Sequence, residues 1–222
     1  MGSVSLSKNN RLFWLGRYAE RVYQGVMIIR AIQDELIDGD KVDMVDLKNR
    51  LGMEYAFASV EEFFQSYAYD ITLSDSIYYS ADQMLGNGMV LREVLGSQTL
   101  SYLQMAMSAL EQAKESNSCG LQLQWVMDDI MAFRGCYGEY IEEESTRNTI
   151  RCGASVERVV TMIRFGAEEG SLKKEILKLI NRLYKTKLSF DQAQLEVING
   201  FAFSEEGNKD VLLSSVEALF QI

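Results

Sequence analysis

Not one of the 222 residues is proline. A typical content of ~5% would give about eleven. Without proline, helices run uninterrupted, and the residue that stiffens the turns of β-sandwiches and Pro-rich linkers is missing. Apolar residues meanwhile recur with a period of 3.6 along nearly the whole chain. The pattern predicts helices over 8–37, 42–51, 58–69, 75–95, 98–115, 120–143, 146–169, 171–186, 189–199 and 207–220. Breaks are expected at Asp38-Gly39-Asp40, Thr72-Leu73-Ser74, Gly96-Ser97, Ser116-Asn117-Ser118-Cys119-Gly120, Gly170-Ser171 and Ser204-Glu205-Glu206-Gly207, where helix stops and N-caps cluster. No linker-like or low-complexity stretch divides the chain. The simplest architecture is all-α: a single multi-helix bundle spanning 1–222.

The absence of histidine removes whole classes of chemistry. Ser-His-Asp and Cys-His apparatus, H-E-x-x-H zinc sites and the Glu-x-x-His pairs of di-iron bundles all need an imidazole. No metal or cofactor is expected. With 22 basic and 32 acidic residues the net charge is −10, a field that opposes nucleic acid and anionic lipid. Lys173, Lys174, Lys178, Arg182, Lys185 and Lys187 gather in one stretch, but Glu175 sits in their midst, and a solvated helix face is the expectation there. Cys119, Cys136 and Cys152 form no C-x-x-C pair and read as reduced core thiols. There is neither a signal-peptide run at the start nor any window of ~18 apolar residues, so the expectation is a cytoplasmic protein away from membranes.

The first long helix is informative face by face. Leu15, Tyr18, Ala19, Val22, Val26, Ile29 and Ile32 make an ordinary core stripe. Phe13, Gly16, Tyr23 and Met27 make a second strip, with Glu20 in its middle. A helix apolar on two sides is central in its bundle, so Glu20 is expected to be shielded and to need a partner. The same grammar returns 157 − 20 = 137 residues later: Gly16-x-x-x-Glu20-Arg21-Val22 is matched by Gly153-x-x-x-Glu157-Arg158-Val159. A glycine one turn before the Glu lets another helix or a ligand approach the carboxylate. The adjacent Arg projects about 100° away and reaches a different neighbour. The bundle is thus expected to contain two related Glu-Arg helices.

At these residues the chain resembles the alpha-E domain proteins, an all-helical bacterial and archaeal family named for a recurring Glu-containing motif. Leu12-Phe13-Trp14-Leu15-Gly16-Arg17-Tyr18-Ala19-Glu20-Arg21 is close to the family's F-W-x-G-R-x-x-E-R signature. Asn87-Gly88-Met89-Val90-Leu91-Arg92-Glu93 is similar to its N-A-R-x-x-R-E stretch, with Met89 where Arg is usual. Gly153, Glu157 and Arg158 look like its second G-R-x-x-E-R segment, with Ala154 in place of Arg, while Arg147 stands for a typical Trp. Gly135 and Glu139 echo the spacing upstream without the Arg. Family members are commonly encoded beside, or fused to, circularly permuted ATP-grasp and transglutaminase-like proteins. The resemblance therefore implies a component of a peptide or amide ligation or modification system, with an ATP-grasp partner protein and an amino-acid or peptide ligand.

Two readings of the polar residues stand side by side. Arg17, Glu20, Arg21, Asn87, Arg92, Glu93, Glu139, Glu157 and Arg158 can form a polar pocket in which arginines hold a carboxylate or phosphate and a shielded Glu handles a proton, as an enzyme subunit would require. Alternatively, Glu and Arg make interhelical ion pairs that help fix helix register, and the bundle is then a scaffold, whose functional counterpart to the enzyme subunit is an interaction module that binds and organises the ATP-grasp partner implied by the resemblance. Weaker signals favour packing. Gly86-Asn87-Gly88 opens like a dinucleotide loop but lacks the third glycine and a preceding strand. Glu139, Glu142, Glu143 and Glu144 read as a solvated helix end, not a cation site. Met105, Met107, Met127 and Met131, and Tyr67, Tyr69, Tyr78 and Tyr79, read mainly as packing residues.

Overall fold

In the computed structural model, which describes residues 2–116, 120–203 and 207–220, helices begin where short polar side chains can take up orphan amides. Asp43 accepts from the Val45 and Asp46 amides, Ser76 from Tyr79, Glu168 from Gly170 and Ser171, and Asn208 from Asp210 and Val211. At another such start the N-cap Ser59 Oγ accepts from the Glu62 amide at 3.2 Å, and Glu62 Oε2 reaches back to accept from the Ala58 amide at 2.6 Å. The helices are α1 (Gly2–Ile37), α2 (Met44–Leu51), α3 (Val60–Tyr69), α4 (Ile77–Val90), α5 (Arg92–Glu115), α6 (Gly120–Tyr140), α7 (Glu144–Arg164), α8 (Glu169–Leu183), α9 (Gln192–Phe203) and α10 (Lys209–Ala218). No strand occurs among the described residues. The fold class is all-α, as expected.

Two boundaries depart from the periodicity reading. Between α4 and α5 the first turn falls at Leu91; Gly96 then kinks the backbone at φ 74°, ψ 161°, where the break was expected. Between α7 and α8 the chain turns earlier than Gly170-Ser171. Phe165 caps α7 and Gly166 takes φ 66°, because only glycine enters that region freely. Glu168 then caps α8, so Gly170 lies inside the first turn. Part of the break expected at Ser204-Glu205-Glu206-Gly207 lies outside the described residues, as does Cys119.

The chain packs as two compact units, Met1–Arg17 with Glu143–Ile222, and Tyr18–Glu142. In the first, Cys152, Val156, Val159 and Ile163 of α7 and Leu172, Ile176, Leu179 and Leu183 of α8 line up at helical spacing and are all buried. Phe13, Leu195, Ile198, Leu212 and Leu219 complete that core. Each fully buried aliphatic side chain contributes about 1.5–3 kcal/mol, so these stripes are what hold α7–α10 and the start of α1 together. In the second unit Val22, Val26 and Ile29 of α1 are buried, as are Phe63, Ile77, Met84, Leu103, Leu110, Leu123, Val126, Ile130 and Phe133. Phe63 stacks on Tyr67 at 5.1 Å and meets Phe57 edge-on at 5.2 Å. Tyr67 and Tyr69 are buried, and Tyr78 and Tyr79 are half-buried. The methionines divide: Met107 and Met127 are buried, Met105 and Met131 exposed. Met27 is also exposed, which narrows the second strip of α1 to Phe13, Gly16, Glu20 and Tyr23.

Candidate functional site

The Glu of each Glu-Arg repeat is buried, and each is bound by an arginine from another helix. In the Tyr18–Glu142 unit, Glu20 is 0% exposed and receives Arg134 Nη2 of α6 on Oε2 at 2.7 Å and Gln24 Nε2 on Oε1 at 2.8 Å. In the other unit, Glu157 is 6% exposed and its Oε2 accepts from both Arg17 Nε (2.9 Å) and Nη2 (2.7 Å). Each guanidinium also lies over an aromatic ring, Arg134 over Tyr23 at 4.4 Å and Arg17 over Trp14 at 5.0 Å. Burying a carboxylate is costly unless it is ion-paired and hydrogen-bonded in this way. Arg17 answers the Glu of the second repeat. Its counterpart in the second repeat by sequence is Ala154, and the carboxylate of Glu20 is served instead by Arg134.

The motif glycines explain why Arg17 and Glu157 meet. A Cβ on Gly16 would collide with the carbonyl of Ile150, and a Cβ on Gly153 would collide with the carbonyl of Phe13. The contact is reciprocal: α1 and α7 touch glycine to backbone, closer than any side chain allows. One turn along α7 the Glu157 carboxylate then comes within reach of the Arg17 guanidinium. The two motif glycines and Glu157 thus encode a crossing of α1 and α7, while Glu20 is held by Arg134 of α6.

The arginines of the Glu-Arg pairs face elsewhere, about 100° round their helices. Arg21 lies over the Tyr18 ring at 5.8 Å. Arg158 donates to Glu175 Oε1 at 3.0 Å. Glu175 is buried and also receives Lys178 at 3.0 Å and the Ser155 hydroxyl at 3.1 Å, with Arg182 at 3.6 Å and itself bonded to Ser155. Burial pushes the Glu175 carboxyl up; the Lys178 hydrogen bond, the charges of Arg158 and Lys178, and the Ser155 hydroxyl outweigh it and hold the group below its ordinary value. The basic stretch expected to be a solvated face therefore turns partly inward, and Lys173, Lys185 and Lys187 pair with Glu169, Glu144 and Glu143.

The remaining expected site residues sit as follows. Asn87 is half-buried within α4, so Gly86-Asn87-Gly88 is helix and not a phosphate-cradling loop. The side chains of Arg92 and Glu93 lie mostly in solvent, 3.3 Å from one another, and Glu139 is exposed. Glu143 is engaged by Lys187, Ser145 and Thr146, which lower its carboxyl to about 2. Among the described residues no group of three or more Cys, Asp or Glu is placed to hold a metal ion, and no helix is long and apolar enough to cross a membrane. Cys136 and Cys152 are buried, and burial pushes the Cys152 thiol up to about 12, which makes it core filling and no nucleophile. Arg134 and Glu175 are the polar residues that sequence reasoning did not single out for a site. Arg134 falls in the stripe Ile130, Phe133, Arg134, Tyr137, and Glu175 follows Leu172 by three. A charge in an otherwise buried stripe is the signal that could have found both.

A family model described as a predicted alpha-helical domain with a conserved ER motif, named Alpha-E, matches residues 8–198. The chain belongs to the Alpha-E family. Both ER dipeptides of this Alpha-E chain, Glu20-Arg21 and Glu157-Arg158, fall inside the match. No curated protein and no solved structure shows a significant match.

Proposed function

We propose that this Alpha-E protein is the helical binding component of an ATP-grasp-associated peptide or amide ligation system, holding a partner protein or a peptide intermediate in place for chemistry done elsewhere. One observation carries the reading: the buried carboxylates of both Glu-Arg repeats, Glu20 and Glu157, are committed to ion pairs with arginines of other helices, Arg134 and Arg17. Carboxylates held in this way fix helix crossings, which is the requirement of a rigid docking body. The absence of histidine removes the commonest proton-transfer group and fits the same division of labour. The ATP-grasp setting comes from the family resemblance.

The test is co-expression with the product of an adjoining ATP-grasp reading frame. Copurification of the two supports the proposal; failure to associate with or without nucleotide overturns it. Glu20→Gln separates the binding reading from the enzyme-subunit reading. Lost product formation with an unchanged melting profile would make Glu20 a reacting group, whereas loss in step with unfolding keeps it a positioning residue.

A further inference from the structure

Within the Tyr18–Glu142 unit a groove of about 400 Å³ runs between α5 and α6. Its shape follows from which faces the two helices bury. Leu103, Ala106, Leu110 and Ala113 of α5 and Leu123, Val126, Ile130 and Phe133 of α6 are buried, so Met105 and Gln112 on one shoulder and Trp125, Asp128 and Asp129 on the other are left over. Trp125, Asp128 and Asp129 share one face by their i, i+3, i+4 spacing. Small Ala109 forms part of the lining.

Two properties of this groove point to an occupant. The first is apolar: Trp125 is 43% and Met105 51% exposed, and these residue types are enriched at the centres of protein interfaces. The second is electrostatic. Adjacent carboxylates line the same groove, none of the lining residues is basic, and the chain as a whole carries −10. Asp128 Oδ1 accepts a hydrogen bond from Gln124 Nε2 at 2.8 Å. Burial first, and the charge of Asp128 second, hold the Asp129 carboxyl above its ordinary value, a strain that an incoming cation relieves. An exposed indole and two carboxylates lining one groove suit an alkylammonium or guanidinium group, by cation–π attraction and charge-assisted hydrogen bonding together.

We infer that the α5/α6 groove docks a basic segment of a partner protein, which seats an apolar side chain against Met105 and Trp125 and directs a Lys or Arg to Asp128 and Asp129. The inference rests on the reading of the chain as a binding component and names the chemistry of what it binds. A groove between two helices takes such a segment as a helix, with anchor and cation one turn apart.

The test uses the full chain and a labelled short helical peptide carrying Leu and Lys one turn apart, against the same peptide with Glu for Lys, followed by fluorescence anisotropy. The Lys peptide is expected to bind, more weakly as salt is raised, and to lose roughly tenfold or more in affinity with Trp125→Ala or Asp128→Lys. The Asp128→Lys variant is expected to gain binding of the Glu peptide. Asp128 is exposed, so that variant keeps its fold, and its melting curve is the control. Equal binding of the two peptides by the unaltered chain, no binding of the Lys peptide up to about 1 mM, or indifference to both substitutions overturns the inference. Failure here and failure of the proposed function are distinguishable. An ATP-grasp partner that copurifies equally well with Asp128→Lys sinks the groove alone, whereas Lys-peptide binding in the groove without any ATP-grasp association sinks the proposed function alone.

Discussion

At the scale of single residues, the buried carboxylates decide most. Glu20 has no solvent contact, and Arg134 has little, so each depends on the other for solvation. Glu20→Gln leaves Arg134 without its counter-charge and is expected to cost about 3 kcal/mol, the low end for a broken buried pair because Gln still accepts a hydrogen bond. A double-mutant cycle of Glu20→Gln with Arg134→Met, read by urea unfolding, should give a coupling of about 1–3 kcal/mol. Arg92→Gln, at an exposed pair, should change stability by less than about 1 kcal/mol. A cycle with no coupling at Glu20 would mean that the pair does not hold its helices. The need of Glu20 for a partner was legible in the sequence, because it interrupts an apolar strip. The partner was not, since nothing in the order of residues says which helix lies alongside.

At the scale of helices, glycine has opposite effects in two places. Gly16 and Gly153 abut backbone carbonyls that cannot yield as a flexible side chain would, so Gly16→Ala or Gly153→Ala is expected to destabilise by about 1–3 kcal/mol. Gly86, inside α4, has open space where its Cβ would go, and Gly86→Ala should stabilise by about 0.5–1 kcal/mol. Thermal melting of the three variants checks the contrast, and three equal shifts would refute the close crossing of α1 and α7. The helices themselves were readable from the 3.6 period, because burial of one stripe is a local property of sequence. The kink at Gly96 was also readable. The turn at Leu91 was not, because Leu91 is no helix breaker; the end of α7 at Phe165 carries a local signal in Gly166, which takes φ 66° just after it, although the break was expected at Gly170-Ser171.

At the scale of the whole molecule, an acidic chain meets acid through its paired carboxylates. Glu143 and Glu175 titrate below their ordinary values, so each binds its proton less readily folded than unfolded. Their contribution to stability is complete above about pH 4.5 and is lost as pH falls, for Glu143 through about 2. The melting temperature should therefore drop on acidification through this window, and Lys187→Met should flatten the drop by removing the largest cause of the Glu143 shift. A drop of unchanged size in that variant would count against the assignment. The sequence by itself determined the helical class, the core stripes, the two Glu-Arg repeats and the chemistry that a chain without histidine lacks, since each follows from residue type and spacing along one helix. Only the tertiary structure decided that Arg134 serves Glu20, that Arg17 serves Glu157, that three basic side chains turn in to Glu175, and that Trp125 and two aspartates share a groove. Those partnerships join residues far apart in the chain or set the exposure of a face, and both depend on how helices pack.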